Sequence, residues 1–182
     1  TALGVFVYNT ANDYDGGAWR KRCRGTSWYN EPTGPNRGPR KEFPAIAVIV
    51  TTNLEIIIYD GDDPDMSMWM RFPNNGYITW AFGTTINTHR CFALNGIITQ
   101  VTHDGGALIK FIDDYFEVLY SSKTYPLIQN RNIYARQDDS YYISASNGAN
   151  RRTYNIGTYT LRTAHMYSRA DARIDPRNGL PY

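Results

Sequence analysis

The chain has little of what usually announces chemistry. Its 182 residues include two cysteines, Cys23 and Cys91, too few for a disulfide framework, leaving either two free thiols or one bridge. The three histidines, His89, His103 and His165, share no metal-ligand spacing with one another or with the cysteines, and are expected on the surface or in turns. There is no Gly-x-Ser-x-Gly elbow and no phosphate-binding glycine loop. The carboxylate pairs Asp113-Asp114 and Asp138-Asp139 are adjacent in sequence, whereas glycoside hydrolysis needs two carboxylates placed across a bond. No apolar run approaches the roughly 18 residues of a membrane-spanning helix. No signal-peptide pattern is present, and the start at Thr1 without Met leads us to expect processing or trimming. These absences lead us to expect no enzyme, no required metal and no cofactor.

What is present speaks of architecture. Hydrophobic residues at 42% and charged residues at 20% sit near the globular average, so a single folded core is expected rather than disorder. Fifteen tyrosines and fifteen glycines stand out, suiting pleated, half-buried surfaces with frequent turns. The composition predicts an all-β chain.

Val5–Tyr8 reads as a first short strand. Residues 18–44 carry Pro32, Pro35, Pro39 and Pro44 with several glycines, which predicts an ordered loop or arm, not a helix. Residues 45–50 and 55–59 are nearly continuous apolar runs around a short connection, predicting a hairpin covered on both faces. Residues 69–72 form a further short strand. Asn95-Gly96 offers the two positive-φ positions of a type I′ turn, so residues 91–112 read as a three-stranded meander that 115–120 extends. Strands at 141–145 and 154–161, a short helix at 164–173 and a turn at 175–179 complete the chain.

Short strands with regular turns fit a sandwich, barrel or propeller, and meanders punctuated by Asn-Gly and Asp-Gly-Gly favour propeller-like blades. Four-stranded blades of about 40–45 residues fit only about three times, too few to close a usual ring. The expected architecture is therefore antiparallel meanders in an incomplete propeller, or one completed between molecules or by a longer parent chain. The expected division is an N-terminal strand plus basic arm over residues 1–44 and a blade-like domain over 45–182.

Formal net charge is +2, but it is unevenly placed. Arg20, Lys21, Arg22, Arg24, Arg37, Arg40 and Lys41 crowd one stretch, while Asp60, Asp62, Asp63 and Asp65 crowd another. Two solvated loops, or two complementary patches that orient a partner, both fit this pattern. Asp60, Asp62 and Asp63 are weak candidates for a cation site. An EF-hand loop fails, because Pro64 occupies a ligand position and Arg71 stands where the bidentate Glu belongs. A turn with Asp side chains bonding backbone donors is the plainer reading. Cys23, among arginines, would have a lowered pKa if exposed.

Tryptophan and arginine are enriched in interface hot spots, and the proline-rich segment is stiff. Trp19, Arg20, Arg22, Arg24, Trp28, Tyr29, Arg37, Arg40 and Trp69 are therefore the interface candidates. Trp19 and Trp28 are expected to anchor in a neighbouring subunit, with the arginines pairing to acidic loops, including Asp60–Asp65 of another copy. Trp69 with its neighbouring methionines reads as core filling or an interface anchor. The basic, aromatic stretch also has the composition of a single-strand nucleic-acid surface, but no recognition motif accompanies it and nucleic acid is not the expected partner.

The segments Gly17-Ala-Trp-Arg-Lys-Arg22, Ser27-Trp-Tyr-Asn-Glu31, Arg37-Gly-Pro-Arg-Lys-Glu-Phe-Pro44 and Ile58-Tyr-Asp-Gly-Asp-Asp-Pro64, followed by Met68-Trp-Met70, carry a resemblance. The chain resembles the N-terminal region of large, mostly uncharacterised marine bacteriophage virion proteins of tail or fibre type. The resemblance covers roughly residues 4–72; residues 92–97, 104–106 and 174–181 extend it, and residues 120–170 match weakly. It implies a non-enzymatic virion structural protein with propeller-like β structure, and no catalytic residues carry over. It implies a place in the phage particle after assembly in the host cytoplasm. Other virion proteins or further copies of the chain are the implied partners. The alternative is a carbohydrate-binding or carbohydrate-cleaving receptor-recognition module of a phage tail, with a host-surface glycan as ligand.

Overall fold

The structure is a computed structural model that describes residues 1–73, 90–101, 105–120 and 127–137. Among these residues the regular structure is mostly antiparallel sheet, with a few short helical turns. Strands β1 (Gly4–Asn9), β2 (Ile46–Thr51), β3 (Glu55–Asp60) and β4 (Met68–Pro73) form one sheet in that order. Strands β5 (Arg90–Leu94), β6 (Ile97–Val101), β7 (Gly105–Lys110), β8 (Tyr115–Tyr120) and β9 (Leu127–Arg131) form the second. The all-β expectation holds. The strands expected at 141–145 and 154–161, the helix at 164–173 and the turn at 175–179 lie outside the described residues.

Local chemistry explains the hairpins. Between β2 and β3, Thr52 Oγ1 accepts from Leu54 N and Glu55 N at 3.0 Å each, closing the turn. Between β5 and β6, Asn95 and Gly96 adopt φ of 53° and 71°, the pair of left-handed conformations a two-residue hairpin needs. β9 was not foreseen, since Leu127-Ile-Gln-Asn-Arg131 lacks an alternating apolar pattern.

Alternation sorts the side chains. Tyr8, Ala47, Ile49, Ile56, Ile58 and Phe72 line the inner face of the first sheet, and Ala93, Ile98, Ala107, Ile109 and Phe116 are buried from the second. They share one core, with Phe72 against Phe116 at 5.3 Å between ring centroids. β1 and β5 lie side by side, and Phe6 meets Phe92 at 6.0 Å.

Two expectations need correction. β2 and β3 are not covered on both faces: their inner residues are buried, whereas Val48, Val50, Ile57 and Tyr59 are only half-buried. The apolar run reports what each face could bury, and among the described residues only one face has a packing partner. Residues 18–30 are also not loop: Ala18–Gly25 is a 3-10 helix and Ser27–Asn30 a single α-turn. The prolines begin only at Pro32, so nothing in 18–30 blocks helical backbone. The boundary expected between residues 44 and 45 falls inside the first sheet, since β1 pairs with β2 from Gly4↔Thr51 to Asn9↔Ile46.

Candidate interface arm

The basic, tryptophan-marked segment folds back between the two sheets. Its first anchor is Asp13, which accepts from Tyr8 Oη at 2.6 Å, Trp19 Nε1 at 2.7 Å and the Asn95 backbone N at 2.7 Å. Gly96 N donates to Tyr8 Oη at 2.8 Å. The start of the arm is thus tied to β1 and to the β5–β6 turn together. Burial pushes the Asp13 carboxyl above its ordinary value, against the three donors that favour the charged form. Gly17, at φ 81°, is required here because a Cβ would sit 2.6 Å from Thr10 Oγ1.

The tryptophans then build the centre of the core. Trp28 packs edge-on against Trp69 at 5.7 Å and Phe111 at 5.4 Å, while Phe43 joins Trp19, Trp69 and Phe111 at 5.2, 4.9 and 4.8 Å. Trp28 Nε1 donates to the Phe111 carbonyl at 2.8 Å and Trp69 Nε1 to the Arg40 carbonyl at 2.9 Å. Trp19 and Trp28 are 1% and 0% exposed. The expectation that they enter a neighbouring subunit is corrected: within this chain both rings are already enclosed and their N–H groups satisfied. Trp69 is core filling, and Tyr29 packs half-buried against Trp28.

The arginines divide. Arg20 donates to the Phe43 carbonyl at 2.6 Å and pairs with Glu42 at 3.2 Å. Arg37 is buried, donating to the Trp69 and Lys41 carbonyls at 3.1 and 3.0 Å with its guanidinium 4.5 Å over the Trp69 ring. Burial lowers its pKa to about 10. Arg40 pairs with Asp60 at 2.7 Å and Asp62 at 2.9 Å, so the basic and acidic blocks meet within one chain rather than between copies. Only Lys21, Arg22, Arg24 and Lys41 remain at the surface, with Arg22 reaching Asp15 at 2.6 Å.

The arm also covers the outer edge of β4. Gly38 N donates to the Trp69 carbonyl at 2.8 Å and Arg71 N to the Asn36 carbonyl at 3.0 Å, giving that edge the partner it would otherwise lack. A Cβ at residue 38 would run into the Met68 carbonyl oxygen, which explains the glycine.

In the acidic turn, Asp62 accepts from Ala45 N and Ile46 N at 2.7 and 3.0 Å. Asp60 accepts from Asp62 N and Asp63 from Asp65 N, both at 3.0 Å. Partial burial pushes the Asp62 carboxyl up, but those backbone donors and Arg40 outweigh it and hold it below its ordinary value. The carboxylates serve the turn, as the plainer reading of the sequence has it. Among the described residues no three His, Cys, Asp or Glu side chains gather where they could hold a metal ion. Nor is any helix there long and apolar enough to cross a membrane.

Two clusters escaped the sequence reading. Asp114, at φ 52° in the β7–β8 turn, accepts from Ser27 N and Oγ at 2.7 and 2.6 Å and from Ile133 N at 3.2 Å. Arg136 forks onto Glu31 at 2.8 and 2.9 Å and also reaches the Arg71, Ile133 and Asn36 carbonyls. No local signal announces partners this far apart in sequence. Cys23 and Cys91 are free and buried, which pushes their thiols up to about 11 and about 12 rather than lowering them. The groove between β1 and β5, lined by Phe6, Tyr8, Asn9, Phe92 and Leu94, holds about 170 Å³. Small-molecule pockets usually begin near ~300 Å³.

Together the fold and the arm define, among the described residues, an all-β arrangement of two packed antiparallel meanders with a basic, aromatic segment built into their common core. The chain matches no family model, no curated protein and no solved structure.

Proposed function

We propose that the chain is a non-enzymatic structural protein of a bacteriophage particle, associated with the tail or fibre, built of propeller-like blades and working through protein–protein contacts. The observation that carries this reading is the stacking of the two meanders. Their first strands, β1 and β5, lie side by side, and the inner face of the first sheet packs on the second while its outer face stays apolar. Blades of a propeller stack in this manner, each sheet flanked by neighbours on two faces.

A structural role draws support from how the buried polar groups are used. Asp13, Glu31, Arg37 and Arg136 are all bonded to backbone or to one another across distant segments. Groups so occupied hold loops together and are not free to meet a substrate. The resemblance of residues 4–72 to virion proteins supplies the setting. Contacts with acidic partner surfaces fall to the exposed cations Lys21, Arg22 and Arg24, where opposite charge sets orientation and encounter rate. Among the described residues the glycan alternative finds no exposed tryptophan to stack on a sugar, because Trp19, Trp28 and Trp69 are buried; Trp80 lies outside those residues.

The test is quantitative mass spectrometry and immunogold labelling of purified phage particles. A fixed copy number per particle and labelling confined to the tail are expected. A chain abundant in the lysate but missing from particles rejects the reading.

A further inference from the structure

The Asn95-Gly96 turn carries a chemistry of its own. An asparagine followed by glycine can cyclise: Gly96 N attacks Asn95 Cγ, Nδ2 leaves as ammonia with the proton from Gly96 N, and a five-membered imide forms. Water then opens the imide at either carbonyl. The product is aspartate, or isoaspartate with the main chain routed through the side chain. Glycine favours the attack, because no Cβ shields its nitrogen and its backbone turns freely.

The folded chain holds this dipeptide in the wrong geometry. Ring closure needs Gly96 N eclipsed with Asn95 Cβ about the Cα–C bond. Asn95 is left-handed, at φ 53°. At the ψ of about +47° usual for that conformation, the following nitrogen points nearly opposite to Cβ.

Three hydrogen bonds keep it so. Gly96 N, the attacking atom, is buried and donates to Tyr8 Oη at 2.8 Å. Asn95 N donates to Asp13 Oδ1 at 2.7 Å. Asn95 Oδ1, on the carbon under attack, accepts from Tyr14 N at 2.8 Å. Tyr8 is itself pinned, donating to Asp13 Oδ2 at 2.6 Å. The three bonds join the N-terminal segment to a turn 81 to 88 residues away in sequence. The dipeptide is therefore released only when that segment separates from the β5–β6 turn.

The product does not fit back. An acid at position 95 sets a second carboxylate beside Asp13 in a partly buried site, where like charges disfavour each other. Isoaspartate also lengthens the main chain of a two-residue turn whose register allows no extra atom. The modification is one-way.

We propose that Asn95 is a deamidation site gated by Tyr8, Asp13 and Tyr14. It is closed in the folded chain, reacts with water when the N-terminal segment lifts from the β5–β6 turn, and then prevents that segment from re-seating. The gate is independent of the phage setting.

The test follows acid formation at Asn95 in the full chain by peptide mass spectrometry, with isoaspartate distinguished by electron-transfer fragmentation. Native wild type should react more slowly than the same chain in urea, by about tenfold or more, since reaction waits on a local opening. Native Tyr8→Phe, which leaves Gly96 N without its acceptor, should react several-fold faster than native wild type, with equal rates in urea. Equal native and urea rates for the wild type, or equal native rates for the two chains, overturn the gate. If Tyr8→Phe fails to fold, hydrogen exchange decides. Across sub-denaturing urea, deamidation of the wild type should rise in step with exchange of the Gly96 amide, and a rate independent of that exchange overturns the gate. Deamidated chains separated by charge should unfold at a lower urea midpoint. A midpoint equal to that of the unmodified chain overturns the one-way step.

Discussion

Arg136 and Glu31 form a two-pronged ion pair, Nη1 to Oε2 at 2.8 Å and Nη2 to Oε1 at 2.9 Å, with side chains 0% and 2% exposed. The pair fastens the loop after the α-turn to the segment following β9, and Arg136 adds backbone carbonyls of β4 and Asn36. Breaking one partner of such a pair strands a buried charge. Glu31→Gln should therefore destabilise by about 3–5 kcal/mol, read as a lowered urea midpoint at unchanged slope. The double change Glu31→Leu with Arg136→Met should recover only part of that loss, because it removes both charges but leaves the Arg71 and Asn36 carbonyls without the guanidinium donor.

Trp28→Ala separates a core residue from an interface anchor. The ring touches Trp69 and Phe111 and its N–H holds the Phe111 carbonyl, so truncation leaves a cavity and an unpaired acceptor. A loss of about 3–5 kcal/mol is expected from buried Trp-to-Ala changes. Thermal unfolding of the monomer checks it. A variant as stable as wild type but impaired in assembly would return Trp28 to the interface.

Asp13 should leave a signature in the pH dependence of stability. Its folded pKa is raised by burial, so between the ordinary value of 3.8 and that raised value the folded state binds more protons than the unfolded one. The Asp13 contribution is greatest below the ordinary value and declines as pH rises through the window. Asp62 acts oppositely: its lowered pKa contributes stability above the ordinary value that is lost on acidification through its folded pKa. As pH rises from the ordinary carboxyl value of 3.8, the urea midpoint of the wild type should decline relative to that of Asp13→Asn. Identical slopes would show that Asp13 does not titrate as its burial requires.

The thiols offer a simple probe of the core. With Cys23 and Cys91 pushed up to about 11 and about 12 by burial, little thiolate exists at neutral pH. Ellman's reagent should find no rapidly reacting thiol in the native protein at pH 8 and two in urea. A fast native thiol would place Cys23 or Cys91 at the surface.

Much of the described fold was legible in the chain because strands and turns are local events. Asn95-Gly96 marks its own hairpin, the runs at 46–51 and 55–60 mark β2 and β3, and the Asp60–Asp65 cluster marks a turn of side-chain-to-backbone bonds. β9 was not legible, since its pairing with β8 supplies the order that its sequence pattern does not. The helical turns at 18–30 were not legible, because a 3-10 helix and a single α-turn are too short to show a helical period, and the prolines that exclude helix begin only at Pro32.

By itself, the sequence determined the antiparallel β character, the principal hairpins and the crowding of arginine and tryptophan before residue 45. Only the tertiary structure decided where those arginines and tryptophans go. The same residue types enrich interface hot spots and aromatic cores, so composition cannot separate the two. Long-range partners can: Phe111 and Asn95 from the second sheet enclose and anchor the arm, Asp60 captures Arg40, and Arg136 reaches back 105 residues to Glu31. Burial belongs to the packed whole, because a side chain loses its water only when distant segments close over it.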